Sequence, residues 1–201
     1  MYKAVVFDFG NVLCRVDRNA LSKALAVHCP HDPETIGKIL WGGTLETEFE
    51  TGRLDSRAYF AAMKRKLGAY DSLDYRGFRE AFMLILSPNP DGIEALKYAH
   101  SRGLRTFILS NISFFHATWI FNDETLATIP ELHILSYKVG AMKPDPLIWN
   151  RMLEYSGLRA SECLYIDDIE AYCEAARTLG FGGIQYDFRS QNLSRELEMV
   201  L

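Results

Sequence analysis

Five polar residues in this sequence directly follow short apolar runs, where a carboxylate, a hydroxyl or an amide could work on an anionic substrate. Ala4–Phe7 runs into Asp8, Arg105–Leu109 into Ser110 and Asn111, and Cys163–Ile166 into Asp167 and Asp168. One acid after a strand can be a helix cap and nothing more. Three such ends in one chain, carrying an acid, a hydroxyl with an amide, and two acids, mark a ligand site at the carboxyl edge of a parallel sheet. Carboxylates brought together repel unless a cation sits among them. An all-oxygen donor set suits Mg2+, which takes few carboxylates together with water and substrate phosphate. Lys143, in Gly140-Ala141-Met142-Lys143-Pro144-Asp145-Pro146, is either a surface charge or a cation that neutralises both an aspartate and a phosphoryl group. Gly10 and Asn11 allow a sharp turn after Asp8.

Positioning these residues requires alternating strands and helices. Besides the three runs, Leu132–Leu135 and Gly183–Tyr186 are weaker strand candidates. Asn89-Pro90 opens a helix, with Asn89 as the capping side chain, Ile93 and Leu96 on one face and Gly103 at its end. Pro144 opens another, with Ile148, Met152 and Tyr155 at helical spacing and Gly157 as terminator. Residues 169–179 form a third, and Ser190 to Leu201 a last covering helix. Alternation of this kind predicts an α/β fold, a doubly wound, Rossmann-like parallel sheet covered on both faces. Residues 17–86 break the rhythm. They hold helical patterns (Tyr59, Phe60, Met63 and Leu67; Phe78, Phe82 and Ile85) and no convincing strand. The expected division is a core of 1–16 and 87–201, with a small helical cap of 17–86 inserted after the first strand.

The composition narrows the function classes. Of 201 residues, 22 are Lys or Arg and 26 Asp or Glu, a formal charge of -4, which argues against a dedicated nucleic-acid binder. No apolar run reaches the roughly 18–20 residues of a membrane span, and the apolar start is too short for a signal-peptide core. Cys14, Cys29, Cys163 and Cys173 form no CxxC pair and read as reduced thiols of a cytoplasmic protein.

Phe7-Asp8-Phe9-Gly10-Asn11-Val12-Leu13, Leu109-Ser110-Asn111, Lys143-Pro144-Asp145 and Ile166-Asp167-Asp168 occur in that order. Together they resemble the four motifs of the haloacid dehalogenase-like hydrolase superfamily, and the helical insert resembles its first cap class. Within it, Asp8-Phe9-Gly10-Asn11-Val12 is similar to the start of the sugar-phosphate phosphatase branch related to α-D-glucose-1-phosphate phosphatase, and of the amino-terminal phosphatase domain of soluble epoxide hydrolase. The resemblance implies that Asp8 is the nucleophile, forming an aspartyl-phosphate. Ser110 and the Asn111 amide would bind phosphoryl oxygens, and Lys143 would stabilise their charge and orient Asp8. Asp8, Asp168 and the Gly10 carbonyl would hold Mg2+, with Asp167 behind them or as an alternative ligand.

The implied function is a Mg2+-dependent phosphatase of a small phosphorylated metabolite, a sugar phosphate among the candidates. Two departures stand against full activity. Phosphatases of this superfamily usually carry a second aspartate two residues after the nucleophile, where this chain has Gly10. The loss of general acid–base help, about 10²–10⁴-fold, predicts a steep dependence on leaving-group pKa. Tyr172 stands where Asp or Asn is usual. A weak or inactive phosphate- or partner-binding relative is therefore the alternative. A haloacid dehalogenase, in which Asp8 attacks carbon without metal, is the third reading. Asp167 and Asp168 oppose it, since they would repel a carboxylate substrate.

Other patterns have ordinary explanations. His28, Cys29 and His31 lack the further ligands that a structural zinc needs. Lys64-Arg65-Lys66 reads as a solvated face and His116 as a helix-surface histidine, though one that could replace the missing acid. Trp41-Gly42-Gly43 reads as a turn or a specificity loop, and Glu48-Phe49-Glu50 before Gly52 as a helix end.

Overall fold

A computed structural model describes residues 2–201. The chain runs β1 (Ala4–Phe7), β2 (Cys14–Val16), α1 (Arg18–Ala26), α2 (Pro33–Leu40), α3 (Thr44–Glu50), α4 (Ser56–Lys66), α5 (Tyr75–Met83), β3 (Leu86–Pro88), α6 (Pro90–Ser101) and β4 (Arg105–Ser110). It continues through α7 (Phe114–Asn122), α8 (Glu124–Thr128), β5 (Leu132–Leu135), α9 (Ser136–Val139), α10 (Pro146–Ser156), a 3-10 turn at Ala160–Glu162, β6 (Cys163–Asp167), α11 (Glu170–Thr178), β7 (Gly182–Gln185) and α12 (Leu193–Val200). Five strands form one parallel sheet in the order β5-β4-β1-β6-β7. β1 lies at its centre, fully buried on both faces, as an uninterrupted apolar run must be.

Side chains alternate across the sheet. Val5, Phe7, Ile108 and Ile166 pack toward α6, α7 and α12 through Leu96, Ile120 and Leu193. Ala4, Val6, Phe107, Leu109 and Tyr165 pack the other way, against Ile148, Trp149 and Met152 of α10 and Ala176 of α11. Helices α1–α5 surround a separate apolar cluster, which also takes in Phe115 of α7.

Three local expectations are corrected. A short antiparallel ribbon of β2 and β3 frames the helical insert. Three-residue strands containing Pro88 and exposed Ser87 show no hydrophobic alternation by which to recognise them. α10 starts at Pro146 with Asp145 as its cap, not at Pro144. Asn89 precedes α6 without capping it through its side chain. Its Nδ2 instead donates to the Val12 carbonyl at 2.7 Å, bracing the loop that follows β1.

Candidate active site

Phe7 pairs with Ile108 on one side and Ile166 on the other. The polar residues that follow therefore gather at one edge of the sheet. The Asp8 N–H donates to the Ile166 carbonyl at 2.8 Å, which carries the pairing one residue further. Asn11 then takes φ 55°, a left-handed conformation that asparagine tolerates. Its amide is used twice: Oδ1 accepts from Val16 N–H at 3.2 Å, and Nδ2 donates to Asp168 Oδ2 at 2.9 Å.

Lys143 links the strand ends. Its Nζ lies 2.8 Å from Asp8 Oδ1 and 2.6 Å from Asp167 Oδ2. Asn111 clamps the lysine's own backbone, accepting from its N–H at 2.7 Å and donating to its carbonyl at 3.0 Å. The Tyr172 ring centroid stands 5.0 Å from the ammonium. Asp167 is fully enclosed: the Tyr165 hydroxyl donates to Oδ2, and Ile169 N–H donates to Oδ1 at 2.9 Å. Burial raises the Asp8 carboxyl to about 7, with Lys143 opposing the rise and Asp167 and Asp168 adding to it. Burial also works against the Lys143 ammonium, but Asp8 and Asp167 outweigh it and hold its pKa above the usual lysine range.

Asp8, Asp167 and Asp168 each place a carboxylate oxygen within 4.8 Å of the others. Asp8 Oδ1 is buried, and the Lys143 ammonium at 2.8 Å is its counter-charge. Three clustered carboxylates against one ammonium leave surplus negative charge, which suits a hard divalent cation. Asp167 has its oxygens occupied, which leaves Asp8 and Asp168 with the freer atoms. Gly10 lies beside them on the cavity wall. A Cβ at Gly10 would meet Val16 Cγ2 at 3.6 Å and Asp8 Oδ2 at 4.0 Å, ordinary contacts, so the fold does not require glycine there.

Asp8, Gly10, Lys143 and Asp168, but not the enclosed Asp167, floor a cavity of about 400 Å³ whose wall also includes Ser110, Asn111 and Met142. A larger hollow, about 560 Å³, lies among Tyr2, Leu104 and Ser161 before the strand starts. It holds none of these acids and lies at the wrong edge of the sheet for an α/β ligand site. The wall facing the strand ends comes from the helical insert: Arg18, Gly42, Glu46, Thr47 and Glu50. No sequence signal had singled out Arg18 or Glu46, and Glu50 read only as part of a helix end. Gly42 N–H donates to the Glu46 carboxylate. Burial raises the Glu46 carboxyl and takes that of Glu50 to about 8. Trp41-Gly42-Gly43 is the turn between α2 and α3, and of the three only Gly42 lines the cavity.

His116 is not at the surface. It is 7% exposed, with Nε2 3.2 Å from the Phe82 carbonyl and Nδ1 3.4 Å from Ser113 Oγ. Burial lowers its pKa to about 4, so it is held neutral between the insert and α7. Lys64 and Lys66 donate to carbonyls of Leu73 and Ile39 within the insert. Cys29 Sγ donates to the Leu25 carbonyl, and His28 Nδ1 meets Ser72 Oγ. All four cysteines are buried and unpaired. Among the described residues, no helix is long and apolar enough to cross a membrane.

A family model of haloacid dehalogenase-like hydrolases matches residues 2–180. A protein of Mycobacterium tuberculosis (strain CDC 1551 / Oshkosh) named as a phosphatase is 30% identical, over 94% of this chain and 88% of its own. D-ribitol-5-phosphate phosphatase of Bacteroides thetaiotaomicron is 26% identical, over 100% and 99%. A HAD family enzyme of Bacteroides thetaiotaomicron, solved with magnesium and inorganic phosphate, superposes with TM-score 0.83 at 20% identity, over 95% of this chain and 97% of that one.

Proposed function

The chain belongs to the haloacid dehalogenase-like hydrolases, and we propose that it is a Mg2+-dependent phosphatase that works through an aspartyl-phosphate on Asp8. The observation that carries this reading is the buried Lys143 ammonium bridging Asp8 and Asp167 beneath a cavity that Asp168 also lines. In the first step an Asp8 oxygen attacks phosphorus, the bond to the leaving oxygen breaks, and the electron pair leaves with that oxygen. In the second, water attacks the same phosphorus and returns Asp8 as a carboxylate. Lys143 holds the nucleophile in place and offsets charge on the phosphoryl oxygens. The Ser110 hydroxyl and the Asn111 backbone N–H bind those oxygens. Asp8, Asp168 and the Gly10 carbonyl would hold Mg2+, which when bound offsets the repulsion between a carboxylate nucleophile and an anionic substrate.

We read 17–86 as the cap and 1–16 with 87–201 as the core. The substrate class we favour is a small phosphorylated metabolite, sugar or polyol phosphates first. Glu46, Glu50 and Thr47 offer hydroxyl partners on the cap wall, and one relative is a ribitol-phosphate phosphatase. Four unpaired cysteines fit a reducing compartment, the cytoplasm. The test is a phosphate-release screen over sugar, polyol, nucleotide and organic-acid phosphates. Release should require Mg2+ and stop in excess chelator. Full activity in chelator would overturn the metal-dependent mechanism.

A further inference from the structure

Gly10 leaves the site without a side chain that can give a proton to the departing oxygen. The wall facing Asp8 offers few replacements. Arg18 is a permanent cation. The Glu46 carboxylate is taken up by Gly42 N–H, and Tyr172 lies over the lysine that holds the nucleophile. His116 is buried outside this wall, its ring engaged with the Phe82 carbonyl. Glu50 differs from all of these. It lines the same cavity as Asp8, Ser110 and Asp168, and its carboxylate has no hydrogen-bond or ion-pair partner among the described residues.

The backbone of Glu50 is fixed to the core with unusual closeness. Ser136 Oγ donates to the Glu50 carbonyl at 2.6 Å. The same hydroxyl oxygen accepts from Ile112 N–H at 2.9 Å, in the loop that carries Ser110 and Asn111. Two residues on, Gly52 takes φ +70°, and a Cβ there would lie 2.1 Å from the Tyr137 carbonyl oxygen. The C-terminal turn of α3 is therefore seated on the segment beside the phosphoryl-binding loop. It is not a free helix end.

We propose that Glu50 is the general acid of this site: its carboxyl protonates the oxygen that leaves phosphorus, and as carboxylate it takes a proton from the water that opens the aspartyl-phosphate. The proton balance closes. Phosphate ester and water give alcohol and inorganic phosphate, and Glu50 ends the cycle protonated, as it began. The inference rests on the phosphatase reading above. Its electrostatic setting agrees with the role. Burial raises the Glu50 carboxyl to about 8, Glu46 and Asp8 push the same way, and Arg18 and Lys143 oppose. Tyr59 of α4 is the other titratable neighbour, feeling the charges of both Glu46 and Glu50. An acid with a pKa near the working pH is the effective donor.

The experiment compares wild type with Glu50→Gln on phosphate esters ranging from good aryl to poor alkyl leaving groups, in saturating Mg2+ with chemistry rate-limiting. Wild type should show a shallow dependence of kcat/KM on leaving-group pKa, in place of the steep one that Gly10 taken alone predicts. Glu50→Gln should steepen it, losing about 10²-fold or more on alkyl esters and only a few-fold on the best aryl esters. Residual aryl turnover reports that the variant is folded. The wild-type fall of alkyl kcat/KM as pH rises through about 8 should disappear in the variant, and Glu50→Asp should lie between the two. Equal slopes in both proteins, or a uniform loss at every leaving group, would overturn the assignment. Trapping of the aspartyl-phosphate separates this inference from its premise. If neither protein forms it, the nucleophile reading fails. If both form it and the slopes agree, only Glu50 fails.

Discussion

The strand-end side and the cap side of the cavity are held by different physics. Asp8, Asp167 and Lys143 are each 7% exposed or less and are tied together through one ammonium. Asp167 and the lysine backbone carry further hydrogen bonds from Tyr165, Ile169 and Asn111. A buried ionic cluster of this kind is costly to disrupt and fixes geometry more than it adds stability. The cap side holds Arg18, Glu46 and Glu50, which reach the cavity from helices that pack on their own aromatic cluster. Arg18 lies over the Trp41 ring at 4.9 Å, and Glu50 is anchored only through its backbone. The lesson is a division of labour. In the proposed phosphatase the rigid floor holds the nucleophile and the phosphoryl group, and the roof can change its side chains at little cost to the fold.

The largest effect should come from Asp8, the proposed nucleophile. Asp8→Asn should lower turnover by at least about 10³-fold while thermal unfolding stays at or above the wild-type temperature, because one of three crowded acids loses its charge. A folded Asp8→Asn protein with near wild-type turnover would place the chemistry elsewhere. Lys143→Met should lose activity and also stability, by about 3–5 kcal/mol in denaturant unfolding, since it leaves buried carboxylates unpaired. An equal substitution on the roof, Arg18→Ala, should cost under about 1 kcal/mol and act mainly on KM. If Lys143→Met and Arg18→Ala destabilise equally, the contrast between floor and roof is wrong.

The difference also explains what could be read from the sequence. The floor residues end apolar runs, and strand periodicity with the turn at Gly10-Asn11 brings them to one edge. Asp8, Ser110, Asn111, Asp167 and Asp168 are therefore legible in the sequence as neighbours at that edge, whereas Lys143 ends no apolar run and reads equally as a surface charge. Asp167, though, turns out to be the last residue of β6, its side chain spent on Lys143 and Tyr165. The roof was not visible. Glu50 ends a seven-residue helix, and its place at the cavity depends on long-range docking, of its carbonyl on Ser136 and of Gly52 on Tyr137. His116 reads as a surface residue from its polarity alone, although α7 is apolar nearly all round, as a helix covered on every side is. The β2–β3 ribbon was too short to leave a pattern.

Two further experiments sharpen the comparison. Gly10→Asp introduced into Glu50→Gln should move the proton donor from roof to floor and flatten the leaving-group dependence again, because a Cβ fits at that position. No recovery on alkyl esters, in a protein that still hydrolyses aryl esters, would show that position 10 cannot serve as donor. His116 gives a smaller effect, on stability alone. Its folded pKa of about 4 lies below the ordinary 6.5. The stabilisation it contributes is therefore present above pH 6.5 and is lost as pH falls through 4. Between pH 7 and 5 this amounts to about 2 kcal/mol. His116→Gln should remove that part of the acid sensitivity. An unchanged pH dependence of unfolding would mean that His116 is not the group concerned.

The most direct test of the account is to locate the phosphoryl group during turnover. Wild-type protein with Mg2+ and an aryl phosphate is quenched in acid within the first turnover, digested, and mapped by mass spectrometry. The account predicts one acid-stable, base-labile phosphoryl group on the peptide carrying Asp8, absent with chelator and absent in Asp8→Asn. Label on Asp167 or Asp168, or a full burst of product with no labelled peptide, would contradict it.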